Sequence, residues 1–163
     1  MVKRNNGVTL TELLMVLAIL GSIALLSPPM LRQATNFFIL GRARLELQRE
    51  ARGAMYIITR ELRQAQSSTI TITQSSGQPY YSQISFTNAQ GKSVTVAQSG
   101  SNLTLTLGTT VSTLTRNLAY LAFTFPSSDD MTIVSVSMTL QQQIYGGAIK
   151  ALHMASEKIR VMN

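Results

Sequence analysis

Between Glu12 and Arg32 the chain carries no charge for nineteen consecutive residues, and Leu13 to Leu26 is almost unbroken Leu, Ile, Val, Ala and Met. Wound as an α-helix at about 1.5 Å per residue, this stretch is roughly 30 Å long, the thickness of a bilayer's hydrocarbon core. The amphipathic helix of a soluble domain keeps a polar face, and this one has none. It reads as a membrane helix or an export signal. Lys3 and Arg4 precede it, so the positive-inside rule sets the N-terminus in the cytoplasm and the remainder outside. The alternative is a conventional secretory signal, cut at small residues such as Ser22-Ile23-Ala24. Against it, the apolar run continues through Leu25 and Leu26, and a carboxylate, Glu12, stands at its start.

An ionised carboxylate inside a bilayer costs on the order of 2.5–3.5 kcal/mol on insertion scales, so Glu12 calls for a partner. No basic residue lies within the nineteen positions that follow it. The partner is therefore expected from elsewhere, either another subunit or a nearby terminal amine. The plainer reading is a Glu resting at the membrane interface.

The local string is Lys3-Arg4-Asn5-Asn6-Gly7-Val8-Thr9-Leu10-Thr11-Glu12-Leu13-Leu14. It resembles the class III signal of type IV pilins and pseudopilins: a short basic leader ending in Gly, an apolar residue, and Glu five places after the Gly. The resemblance implies a leader of residues 1–7, cut by a prepilin peptidase between Gly7 and Val8, with methylation of the new amine at Val8. The usual family residue there is Phe, so Val8 departs from the pattern, apolar for apolar. The family also supplies a partner for Glu12, because the terminal amine of one subunit is thought to pair with the glutamate of its neighbour. Opposite charges attract strongly where the dielectric is low, and an unpaired one is penalised. The implied partners are the peptidase, other pilin or pseudopilin subunits, an inner-membrane assembly platform, and membrane lipid before assembly. The implied location is the bacterial inner membrane, single-pass with the head outside, and then the filament.

Residues 8–31 would form the membrane and filament-core helix. Near its end Pro28 and Pro29 remove two backbone donors and are expected to kink or locally melt it; a proline at about this depth also fits the family. The other reading is the plain end of a membrane helix. Residues 32–65 continue in helical register. With Arg42 as zero and about 100° per residue, Leu40, Leu47, Ala51, Ala54, Met55, Ile58, Leu62 and Ala65 gather on one side. Arg42, Arg49, Arg52, Arg60 and Arg63 gather on the other, flanked by Glu46, Glu50 and Glu61, while Arg44 leans toward the apolar face. The apolar stripe must be buried, most simply on a sheet built by the rest of the chain. The arginine face reads first as a solvated or inter-subunit surface with Arg42–Glu46 and Glu46–Glu50 neighbours. Anionic lipid near the membrane end is a further candidate. DNA ranks lower, because Tyr56 is the lone aromatic near the stripe.

From Gln66 onward, in residues 66–163, Ser, Thr and Gln alternate with Val, Ile and Leu. Period-two alternation predicts strands at Thr69–Thr73, Ile84–Phe86, Val94–Val96 and Leu103–Leu107, with turns at Asn88–Lys92 and Ser99–Asn102, so that residues 82–107 form an antiparallel meander. Leu118–Phe125 and Ile133–Leu140 are further strands, and residues 151–161 lean toward a last strand over a short helix. The predicted class is α+β: one long N-terminal helix, half transmembrane and half amphipathic, packed on an antiparallel sheet head. The order of pieces from the Gly91 hairpin onward also resembles minor pilins and minor pseudopilins of the W and J types.

Fourteen Lys and Arg against seven Asp and Glu give a net charge of +7, which invites an anionic partner without choosing one. Residues 32–65 alone hold seven Arg and three Glu, so the excess is mostly one helix face and the case for nucleic acid weakens. The chain has no Cys and one His, which excludes disulfides, thiolate sites and any site needing two imidazoles. His153 has no acidic neighbour nearer than Glu157 and no nucleophile elbow before it, and no phosphate loop or dinucleotide fingerprint occurs. It reads as a half-buried head residue. Asp129-Asp130 could bind Ca²⁺ but reads first as a polar turn. No cofactor or catalytic role is expected. The functional expectation is a minor filament subunit; the alternatives are a DNA-uptake pilin using its helix arginines, or a single-span or secreted protein with a conventional signal.

Overall fold

The computed structural model describes residues 8–127, 129–144 and 149–162. One helix, α1, spans Leu10–Arg63. It is followed by a 3₁₀ turn at Ser67–Thr69 and eight strands. The strands are β1 (Thr71–Thr73), β2 (Gln83–Thr87), β3 (Ser93–Ser99), β4 (Asn102–Leu107), β5 (Thr110–Thr115), β6 (Leu118–Thr124), β7 (Ile133–Ile144) and β8 (Ile149–Arg160). The class is α+β, as the residue pattern predicts. By its contacts the chain divides into two units, one up to Gly41 and one from Arg42.

In the first unit, residues 8–26 and 28–38 are all exposed. Leu, Ala, Met and Ile are strong or adequate helix formers, and nothing polar interrupts them, so the backbone satisfies itself within the helix. The few hydroxyls do the same: Ser22 Oγ donates to the Ile19 carbonyl, Ser27 Oγ to that of Ile23 and Thr35 Oγ1 to that of Leu31, at 2.7, 2.7 and 2.9 Å. Pro28 and Pro29 lie inside α1 and the helix continues through them. The predicted local melting does not occur there, since the turns on either side keep their own bonds.

In the second unit, the helix buries Ala43, Leu47, Ala51, Ala54, Met55, Ile58 and Leu62, and Ala65 just beyond it. From Leu47 onward this is the stripe predicted by the 3.6-residue period. The last turn tightens, with Gln64 N–H and Ala65 N–H donating to the carbonyls of Glu61 and Leu62 at 3.1 Å each.

The head is two antiparallel sheets, β1-β2-β3-β4-β5 and β6-β7-β8. Strands β2, β3 and β7 alternate buried and part-exposed residues, which puts Ile84, Phe86, Val94, Val96, Val134, Val136, Met138 and Leu140 in the core. The β2–β4 meander runs as predicted. Gly91 and Gly100 take φ of 75° and 59° in its two turns, a conformation that favours glycine. Asn88 Oδ1 closes the first turn, accepting from the N–H groups of Gln90 and Lys92 at 3.1 and 2.9 Å.

Two strand expectations change. The stretch Thr69–Thr73 is a strand only from Thr71, because Thr69 is drawn into the 3₁₀ turn. Its hydroxyl donates to the Gln66 carbonyl at 2.8 Å and accepts from Thr87 N–H at 3.0 Å. Strand β5 was not foreseen: a register shift between Leu103 and Thr104 breaks its pairing with β4, so its apolar residues lose the period-two signature. Residues 151–160 are strand, within β8, paired along its length with β7.

Candidate functional site

Helix α1 begins with a reciprocal cap. The Glu12 carboxylate accepts from Thr9 N–H and from the Thr9 hydroxyl, each at 2.9 Å, while Glu12 N–H donates to Thr9 Oγ1 at 3.3 Å. This is a capping box, in which a Thr at the helix boundary and a Glu three residues on each satisfy an otherwise unpaired backbone donor. Val8 and Thr9 are outside the helix and exposed. Gly7, the other residue of the predicted cleavage point, lies outside the described residues, as do Lys3 and Arg4.

Glu12 does not have to wait for a partner from elsewhere, because Thr9 supplies two donors within the chain. Among the described residues no cation pairs with it. The signal was legible as Thr9-x-x-Glu12 ahead of an apolar run.

The five arginines Arg42, Arg49, Arg52, Arg60 and Arg63 are all exposed, as is Arg44. Arg42, Leu45, Glu46 and Arg49 border one surface hollow, and no ion pair closes there. Arg60 instead holds its immediate neighbour, Nη2 lying 2.7 Å from Glu61 Oε1, with Nε at 3.1 Å. The hydrogen bonds and charge of Glu61 favour the charged guanidinium still further. Glu61 is 5% exposed, so it belongs to the core rim, where Arg60 offsets the penalty of a buried carboxylate.

Glu50 also leaves the stripe. Its Oε2 accepts from the Thr115 hydroxyl at 2.7 Å and from Asn117 Nδ2 at 3.0 Å. Thr59 Oγ1 donates to Glu157 Oε2 at 3.2 Å. These contacts join α1 to β5, to the link before β6, and to β8. Nothing in the local sequence announces them, since each partner is more than sixty residues away.

Arg52, Arg60 and Arg63 line one wall of a groove with Met55, Tyr56 and Thr59, and Glu157 and Met162 line the other. A second groove runs between Gln48, Ala51, Arg52 and Met55 of α1 and His153–Glu157 of β8. His153 is half-buried, as predicted. Asp130 serves its own turn: the Thr132 hydroxyl donates to its Oδ1, and Thr132 N–H does so at 2.9 Å. The hydroxyl first, and then the N–H, hold the Asp130 carboxyl below its ordinary value. Among the described residues no group of three His, Asp or Glu is placed to hold a metal ion.

The chain matches no protein-family model, no curated protein and no solved structure. One helix, near the N-terminus, is long and apolar enough to cross a membrane, and its most apolar window has none of its surface buried.

Proposed function

We propose that this chain is a membrane-inserted structural subunit of a filament, a minor subunit of a type IV pilus or of a type II secretion pseudopilus. One observation carries the reading. The capped start of α1, immediately after Val8 and with Glu12 in its first turn, opens onto an apolar helix exposed at every residue from Leu10 to Leu26. Apolar surface on that scale is not left in water. Lipid covers it in the single subunit, and the helices of neighbouring subunits cover it in the filament. The charges at Lys3 and Arg4 keep the leader on the cytoplasmic side, and the head lies outside.

In this reading a prepilin peptidase hydrolyses the Gly7–Val8 bond, and the amine freed at Val8 is methylated. The methylated amine keeps its positive charge and serves as the counter-charge for Glu12 of an adjacent subunit. Pairing in low dielectric then sets the axial register of one helix against the next. The role is structural, with no chemistry of its own.

The test is the N-terminus of the chain produced alongside a prepilin peptidase and an assembly machinery. Mass spectrometry is expected to find a mature chain that starts at methylated Val8. A chain that starts at Leu25 would overturn the reading in favour of a conventional signal. Glu12→Ala is expected to be cut normally and to be missing from sheared filaments; normal incorporation would remove the assembly role.

A further inference from the structure

We propose that the free edge of strand β8 is a docking site for an extended acidic strand of a partner protein. In the sheet order β6-β7-β8, β8 pairs on one side only. Its twelve residues extend roughly 40 Å at about 3.3 Å per residue. An edge strand turns about half of its backbone N–H and C=O groups away from its neighbour, where they can accept another strand. The other edges are poorer templates. Strand β1 has three residues and β5 six, and β6 donates Phe123 N–H to the Tyr81 carbonyl at 2.9 Å.

The edge faces open space rather than packed protein. His153, Met154, Ala155, Ser156 and Glu157 all border the groove whose far wall is α1. Consecutive residues of a strand point to opposite faces, so a hollow bordered by five in a row lies along the strand's edge. Arg52 stands in that hollow and in the neighbouring one, where Arg60 and Arg63 join it. On the outer face Lys150, Lys158 and Arg160 are exposed. The acidic groups on this side are Glu157, which accepts from Thr59, Glu61, which is held by Arg60, and Asp130, which is bound by Thr132 and lies within reach of the Arg160 charge. Six cations (Arg52, Arg60, Arg63, Lys150, Lys158 and Arg160) against three engaged carboxylates leave the edge positive.

Charge decides the occupant. Two copies paired antiparallel about Ala155 would set Lys150 against Arg160 and Leu152 against Lys158. Like charges opposed across a strand pair are destabilising, so that register is disfavoured. An acidic strand meets the opposite situation on both flanks. Lys150, Lys158 and Arg160 share the outer face of β8, where one set of the visitor's side chains meets them, and the alternate set turns inward, where Ala51 and Met55 line the hollow. The fitting partner is an extended segment that alternates acidic and apolar residues. The inference concerns the unit from Arg42 onward and stands whether or not the chain assembles through the apolar start of α1.

The full chain in detergent micelles tests it, with a blocked ten-residue peptide of alternating Glu and Val as probe. Anisotropy of the labelled peptide is expected to report binding that weakens with added salt, and amide exchange is expected to slow in β8. Replacing one central Val of the peptide by Pro removes a backbone donor and, like a Lys–Val peptide, should weaken binding about tenfold or more. Lys158→Glu with Arg160→Glu should weaken the acidic peptide by a similar factor, with the circular dichroism of the chain unchanged. The proposal is overturned by a Pro-bearing peptide that binds as well as the parent, by no binding, or by protection mapping elsewhere. It is equally overturned if a single-stranded oligonucleotide of the same charge competes at these residues as strongly as the peptide, because the edge would then read charge and not a strand.

Discussion

The Glu12 carboxylate accepts two hydrogen bonds from Thr9, one from the backbone N–H and one from the hydroxyl, both at 2.9 Å. A residue that the proposed function needs for contact between subunits is thus also the residue that starts its own helix. Both bonds fall on Oε2, so a neighbour's amine can approach through Oε1 without releasing the cap, and one carboxylate can serve both roles.

Thr9→Ala is therefore expected to fray the first turn of α1 by about 1 kcal/mol, a typical loss for an N-cap residue. Thr9→Ser keeps the hydroxyl and should not. Amide exchange at Leu10–Leu13 in micelles distinguishes them; equal exchange in both variants would show that the cap adds no stability.

Glu50→Ala removes the acceptor shared by Thr115 and Asn117. Hydrogen bonds to a charged group are worth about 1.5–3 kcal/mol. A lower thermal midpoint of the head's β-sheet signal is expected, with Glu50→Gln falling less because one amide oxygen remains. A midpoint unchanged in both would mean that solvent replaces the carboxylate at no loss.

Ile58 and Leu62 are fully buried on α1, whereas Leu45 is 59% exposed. Ile58→Ala or Leu62→Ala should destabilise the head by about 2–5 kcal/mol, through lost burial and the cavity left behind. Leu45→Ala should change head stability by less than about 0.5 kcal/mol. Denaturant midpoints of the three variants make the comparison.

Asp130 titrates below its ordinary value because the hydroxyl and N–H of Thr132 favour the carboxylate. A folded value lower than the unfolded one means that its contribution to stability is complete above the unfolded pKa. It is lost as pH falls through the folded pKa. The wild-type chain is expected to lose more thermal stability than Asp130→Asn as pH is lowered from 5 through the acidic range. Parallel midpoint-versus-pH curves for the two proteins would contradict this.

The short-range features were readable in the chain. An uncharged run from Leu13 to Leu31, a stripe from Leu47 to Ala65 and period-two alternation in Val94–Val96 each depend on neighbours only a few residues apart. Helix and strand periods are local geometry, so they leave their mark on the residues themselves. The Thr9–Glu12 cap is equally local, a Thr and a Glu three residues apart ahead of an apolar run.

What the tertiary structure alone decided lies between distant residues. Glu50 and Glu61 look like companions of the arginines on a helical projection, yet Glu50 turns to Thr115 and Asn117, and Glu61 sinks into the core beside Arg60. The division of eight strands into sheets of five and three, and the open edge of β8 beside the helix arginines, likewise depend on long-range pairing. A side chain near the boundary of an amphipathic stripe takes its environment from whatever packs across it. That partner is fixed by the whole fold, and no local spacing in the chain encodes it.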